Sequence, residues 1–340
     1  MQTTAKLEDF LKDSTVADLK SKTEIIPIAA TDSVADAMKE LAKRKILSMP
    51  VLDKKKSKYV GIISISDIVI ATVFNPAFAK LAKGASAIDK LTREDFKKII
   101  EKSVLNNPVC DLVGMTEEGK NLWAFDEKES LTKVSEYFAQ GVHRALISHQ
   151  KGNPSFISQT DLVRFISKKV KESKDKDVAN FLNNSLEKLG YVRKGKKIIS
   201  VSTTETALAG FRRLLQWQSF RDWNLAALPI VDKDGKVVGN LSESDLREMN
   251  AETRLLDLLF VTPLFLKTYC GEMRKPVVVS PETSFVDALD KLISESVHRV
   301  WIVDKDSKPI GVFSLSDVIS QFTPFAWSHE KVMDGLFTTS

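Results

Sequence analysis

Cysteine is nearly absent from the sequence. There are two in 340 residues, Cys110 and Cys270, set far apart. A disulfide framework is not indicated, so the natural home expected of the chain is a reducing cytoplasm or nucleus. Histidine is also scarce, with four copies, which argues against a structural metal site. Long apolar runs are missing. The run Leu255–Val261 is short and interrupted, far from the roughly 18 continuous apolar residues of a membrane span. Residues 1–18 carry early acids and no apolar core segment, unlike a signal or transit peptide. Charge of one sign is not in excess either: 50 basic residues face 45 acidic ones, for a net charge of +5. Nothing calls for a nucleic-acid partner. No His-Glu-x-x-His, Cys-x-x-Cys or Gly-x-Ser-x-Gly occurs, so no nucleophile is supplied with its base, and an enzyme is not expected.

What is present is globular and repetitive. Hydrophobic residues make up 43% and charged residues 28%, enough for several packed units. One signature occurs four times: Gly61-Ile-Ile-Ser64-Ile-Ser66-Asp67, Ser155-Phe-Ile-Ser158-Gln-Thr160-Asp161, Gly239-Asn-Leu-Ser242-Glu-Ser244-Asp245 and Gly311-Val-Phe-Ser314-Leu-Ser316-Asp317. Each ends a strand and opens a helix, with hydroxyls and a carboxylate where helix N-caps belong. What precedes each copy also repeats. In the last copy Val277–Val279 reads as a strand, Thr283 as an N-cap, Val286, Leu289, Leu292 and Ile293 as one helix face, and Val300–Val303 with Ile310–Phe313 as a hairpin. The third copy carries Asp234-Gly235 between its strands, a strong hairpin signal. The second is the most eroded.

The repeat unit is therefore β-α-β-β-α, in the α/β (α+β) class, and about 50 residues long by the spacing of repeat architectures. The expected division is an N-terminal extension 1–19, repeats over 20–73, 121–170, 197–250 and 276–325, helical connectors over 74–120 and 251–275, a linker over 171–196 rich in Lys, Asp and Asn, and a tail over 326–340 with no readable role. Phe96, Ile99 and Ile100 give the first connector its helical periodicity.

The signature suits an adenosine phosphate on chemical grounds alone. A carboxylate at a helix start can accept hydrogen bonds from both ribose hydroxyls, which nominates Asp67, Asp161, Asp245 and Asp317. Helix N-termini and hydroxyls can hold phosphate, which nominates Ser64, Ser66, Thr160, Ser242, Ser244, Ser314 and Ser316. The pairs His143-Arg144 and His298-Arg299 add cations, and Arg221 is a further candidate. Each carboxylate could equally be a plain helix cap, and each histidine a satisfied core residue. Gly114-Met-Thr-Glu-Glu-Gly119-Lys120-Asn121 imitates a P-loop but lacks the final hydroxyl and is followed by a strand pattern, so it is rejected as one.

The strand–turn–strand that ends in Gly-h-h-Ser-x-Ser-Asp (h, apolar), with the amphipathic helix before it, resembles the CBS (cystathionine-β-synthase) domain over most of 20–325. The resemblance implies that two repeats pair into a Bateman module and two modules form a pseudo-symmetric disc. Four repeats with little else attached are similar to the γ subunits of the AMP-activated and sucrose-non-fermenting-related protein kinase family. Val297–Asp304 with Gly311–Asp317 resembles that family's fourth repeat, and Val142-His143-Arg144 its second. Repeat one departs with Ile46-Leu47, and repeat two with Ala145-Leu146-Ile147, which lacks the family's Pro. The resemblance implies AMP, ADP or ATP as regulatory ligands, a kinase catalytic subunit and a scaffolding β-type subunit as partners, and no membrane. A nucleotide-independent adaptor, such as a phosphatase regulator, and a sensor of another adenosyl ligand such as S-adenosylmethionine are the alternatives.

Overall fold

The computed structural model describes residues 7–19, 23–76, 92, 94–95, 98, 104–116, 119, 122–150, 154–192, 197–220, 227–246, 257–258, 260–323 and 337–338. Phe96, Ile99, Ile100 and Arg221 lie outside the described residues.

The first repeat shows how local chemistry builds the unit. Strands β1 (Thr23–Glu24) and β2 (Ile28–Ala29) lead to α1 (Val34–Arg44). Ser33 caps α1 reciprocally: its Oγ accepts from Asp36 N at 3.1 Å and donates to Asp36 Oδ2 at 2.6 Å. Val34, Ala37, Met38 and Leu41 then fall on one buried face. Strands β3 (Ser48–Asp53) and β4 (Lys58–Ser64) form a hairpin, and α2 (Ile65–Val73) follows without a break. The second repeat is β5 (Ala124–Asp126), α3 (Leu131–Ala139), β6 (Arg144–Ser148), β7 (Ser155–Ser158) and α4 (Gln159–Glu172). After α5 (Lys176–Leu182), the third runs β8 (Lys197–Ile198), β9 (Val201–Ser202), α6 (Ala207–Phe220), β10 (Ala227–Val231) and β11 (Val237–Ser242), then a 3-10 turn over Glu243–Leu246. After α7 (Thr262–Cys270), the fourth is β12 (Val278–Val279), α8 (Phe285–Ser294), β13 (Arg299–Val303), β14 (Pro309–Ser314) and α9 (Leu315–Gln321). The last strand is β15 (Phe337–Thr338).

Each repeat has the same sheet: a parallel pair and an antiparallel hairpin, in the orders β2-β3-β4, β5-β6-β7, β9-β10-β11 and β12-β13-β14. The strand that opens repeat one in the sequence is in fact two. Its first half, β1, pairs with β7 of repeat two, so a backbone strand crosses between the repeats. The corresponding first strand of repeat three, β8, pairs instead with the C-terminal β15. The helix cap of repeat four also differs from expectation. Ser284, not Thr283, accepts from Asp287 N at 3.1 Å, while Thr283 Oγ1 accepts from Ser280 N.

Two kinds of contact join the repeats. Sheet faces meet within pairs: Ile62 of repeat one with Leu146 and Phe156 of repeat two, and Ala227 of repeat three with Trp301 and Val312 of repeat four. Helices meet across pairs. One core joins repeats one and three, with α2 against α6, and a second joins repeats two and four, with α9 against α3 and α4. The contacts thus run one–two–four–three and back to one, a closed ring. Two segments outside the repeats belong to the second core. Leu7, Leu11 and Val16 are buried there, and so are Val178, Leu182, Leu186 and Tyr191 from the polar 171–196 stretch. The apolar residues of that stretch are spaced as a helix and turn whose outer face alone is charged.

Candidate functional site: the four signature carboxylates

In all four repeats the signature Ser holds the signature Asp. Ser64, Ser158, Ser242 and Ser314 each end a strand as an N-cap. Backbone N–H and Oγ–H both donate to Oδ2 of the Asp three residues on: 2.8 and 2.5 Å at Asp67, 2.8 and 2.7 Å at Asp161, 2.6 and 3.0 Å at Asp245, 2.7 and 2.5 Å at Asp317. In repeats one, two and four the Ser Oγ also accepts from the Asp N–H, which completes a capping box; in repeat three the signature opens a 3-10 turn with only the Ser242-to-Asp245 half of it. The shared half places Ser64, Ser242 and Ser314 on the carboxylate and leaves Oδ1 as the oxygen available for other work.

The four Oδ1 atoms meet different fates. Asp67 is fully buried, and its Oδ1 accepts from Thr116 N at 2.8 Å and Thr116 Oγ1 at 2.9 Å. Burial pushes its pKa up to about 6, against the pull of the Ser64 and Thr116 hydrogen bonds. Asp245 Oδ1 faces Cys270 Sγ at 3.7 Å; burial raises this carboxyl too, while the Ser242 bonds, Cys270 and the charge of Arg274 draw it back. At Asp161, half-buried, no hydrogen bond from a described residue reaches Oδ1. Asp317 is buried beside the fully buried Tyr191, whose phenol is held above its ordinary range by burial first and by Asp317 second.

The start of each hairpin lies next to these carboxylates. Sheet register sets Ser48 opposite Ser64, Arg144 opposite Ser158, Ala227 opposite Ser242 and Arg299 opposite Ser314. One residue earlier, the carbonyls of Leu47, His143 and His298 accept from Ile65 N, Gln159 N and Leu315 N. The two His-Arg pairs therefore occupy one structural position in repeats two and four, and Leu47-Ser48 occupies it in repeat one. Arg144 Nη1 reaches across the first pair to donate to Ser48 Oγ at 3.0 Å. Arg299 is half-buried, and desolvation lowers its guanidinium to about 10, opposed by Glu243, Asp317 and Asp245. Carboxylates from both members of the second pair thus lie near enough to Arg299 to favour its charged form. Ser66, Thr160, Ser244 and Ser316 take the second helical position, where Ser316 Oγ accepts from Gln159 Nε2 at 3.0 Å and ties repeat four to repeat two.

Sequence reading missed Thr116, Cys270, Ser48, Glu243 and Tyr191, because none sits in the signature. It also missed a polar chain in repeat two. Glu127 Oε2 lies 2.8 Å from His149 Nδ1, and His149 Nε2 lies 2.7 Å from Ser155 Oγ. The order is that of acid, base and nucleophile. Ser155, however, is 6% exposed and lies in β7 between β1 and β6. The chain acts as a clamp on the hairpin end, and its bond to His149 lowers the pKa of Glu127. Among the described residues no group of His, Cys, Asp and Glu is placed to hold a metal, and no helix is long and apolar enough to cross a membrane.

A family model for the CBS domain matches residues 16–73, 195–252 and 269–323, just over half of the chain. The chain belongs to the CBS domain family. The second CBS repeat falls outside the matched segments, in keeping with its worn sequence, yet folds as the other three do. Among curated relatives, the chain is 25% identical to the SNF1-related protein kinase regulatory subunit gamma-like PV42a of Arabidopsis thaliana, over 91% of this chain and 93% of that one. It is 32% identical to 5'-AMP-activated protein kinase subunit gamma-3 of Sus scrofa, over 29% of this chain and 20% of that one. It is 24% identical to Protein SDS23 of Eremothecium gossypii, over 85% of this chain and 59% of that one. Among solved structures, protein MJ1225 from Methanocaldococcus jannaschii, described as a candidate archaeal homologue of g-AMPK, superposes with a TM-score of 0.61 at 17% identity, covering 91% of this chain and all of that one. The fold of the whole chain is thus shared with a solved protein.

Proposed function

We propose that this CBS protein is a non-catalytic regulatory subunit that binds an adenine nucleotide, AMP, ADP or ATP, between its paired repeats and passes its occupancy to a protein kinase complex. The observation that carries the reading is the juxtaposition in repeats two and four of a pre-oriented carboxylate with a His-Arg pair at the neighbouring strand start. Asp161 and Asp317 supply the ribose contact there, and His143, Arg144, His298 and Arg299 the phosphate contact. Ser66, Thr160, Ser244 and Ser316 line the helix N-termini beside them, and Arg221 is a further phosphate candidate. The γ-like relatives support a kinase catalytic subunit and a β-type scaffold as partners. Cys110 is exposed and Cys270 half-buried, and neither forms a disulfide, which supports a cytoplasmic or nuclear setting.

The mechanism is linkage: a nucleotide that prefers one arrangement of the two modules shifts the population toward it. At Arg299 a phosphate would bind a guanidinium that already feels Glu243 and Asp245 of repeat three and Asp317 of repeat four, which couples occupancy to the contact between those repeats. Calorimetric titration of the purified chain with AMP, ADP and ATP tests the reading. Binding that Arg299→Ala weakens supports it. Absence of binding by all three nucleotides sinks it, and leaves a nucleotide-independent adaptor, which the engaged carboxylate of repeat one would favour.

A further inference from the structure

Repeat one differs from the others in what lies on its signature. The end of its connector packs directly on β4. A Cβ added to Gly61, whose φ is +155°, would fall 2.4 Å from Val113 Cγ1 and 3.2 Å from the Gly119 carbonyl. A Cβ on Gly119 would lie 3.0 Å from Asp67 Oδ1 and 3.2 Å from the Ile62 carbonyl. Both glycines are thus needed for this approach. Between them Thr116 presents two adjacent donors to a single carboxylate oxygen, and Gly119 N donates in turn to Thr116 Oγ1 at 3.0 Å, which fixes the hydroxyl. The remaining oxygen of Asp67 is held by Ser64. Both oxygens of this carboxylate are bonded from within the chain.

A ribose offers a signature carboxylate two vicinal hydroxyl donors. Thr116 offers Asp67 the same pattern, one N–H and one O–H side by side. We propose that Thr116 is an internal substitute for the ribose diol, so that the first CBS repeat is closed to nucleotide by the chain itself and Thr116 sets the number of sites. The inference rests on the ribose reading above. The failed P-loop pattern is part of the same device, since Gly114, Thr116 and Gly119 all come from it.

The test is the number of AMP equivalents bound per chain by calorimetry, with thermal melting to confirm folding. Thr116→Pro removes both donors at once, Thr116→Ala removes only the hydroxyl, and Thr116→Ser keeps both. Thr116→Pro is expected to bind one equivalent more than wild type, Thr116→Ala to bind the added equivalent more weakly, and Thr116→Ser to match wild type. Unchanged stoichiometry in folded Thr116→Pro and Thr116→Ala overturns the proposal. So does a wild-type stoichiometry that falls by one in Asp67→Asn. If wild type binds no nucleotide, the energy-sensing reading fails separately; a gain from none to one in the Thr116 variants still supports the closed site, and no gain overturns it.

Discussion

Repeats one and three differ from repeats two and four in a consistent way. In the odd repeats the signature carboxylate meets a side chain from the following connector, Thr116 at Asp67 and Cys270 at Asp245, and the strand start that can be compared carries small residues, Ser48 and Ala227. In the even repeats the same position carries Arg144 and Arg299. The cores differ as well. The odd core is mainly aliphatic, whereas the even core gathers Phe125, Phe138, Phe285, Phe313, Phe322 and Tyr191. Four copies of one fold have thus divided the work: the odd members supply internal partners, and the even members supply cations.

Several substitutions break or sharpen this division. The largest effect is expected in the even core. Phe313, fully buried with its ring centroid 4.9 Å from Tyr191 and 5.1 Å from Phe285, should cost roughly 3–5 kcal/mol on truncation to Ala, read by urea unfolding. Arg299→Ala should cost about 1–3 kcal/mol by the same measurement, as a mostly buried side chain is truncated and the nearby Asp245, Asp317 and Glu243 lose a favourable charge. Asp161→Asn should weaken AMP binding roughly 10- to 100-fold, whereas Asp67→Asn should leave affinity unchanged; equal losses in both would erase the odd–even distinction. The mildest effect is a pH slope. The Asp67 carboxyl is raised from 3.8 to about 6, so the folded chain holds a proton that the unfolded chain releases. That stabilisation is complete below pH 3.8 and is lost as pH rises through about 6. The melting temperature of wild type relative to Asp67→Asn should therefore fall across that window and level off above it.

Local chemistry was legible in the sequence, and long-range chemistry was not. Ser-x-x-Asp at the end of an apolar strand is a capping box written within four residues, so strand end, helix start and carboxylate direction could all be read together. The pairing of His143-Arg144 with His298-Arg299 was legible because each pair precedes a readable strand. Thr116 lies 49 residues from Asp67, and nothing in its own neighbourhood signals the contact. The 171–196 stretch misled for another reason. Its charges face water and dominate composition, while Val178, Leu182, Leu186 and Tyr191 are few and widely spaced, yet all four are buried. The strand exchange of β1 was illegible because two residues carry no pattern that states which sheet they join.

The ring of contacts has a mechanical consequence. Sheet joints link one to two and three to four, and helix joints link one to three and two to four. Four rigid bodies hinged in a loop form a four-bar linkage, in which the angle at one hinge dictates the angles at the other three. Opening the hinge at Arg299 must then be answered at the opposite hinge, where Arg144 meets Ser48. A chain with only one repeat pair would lack that return path.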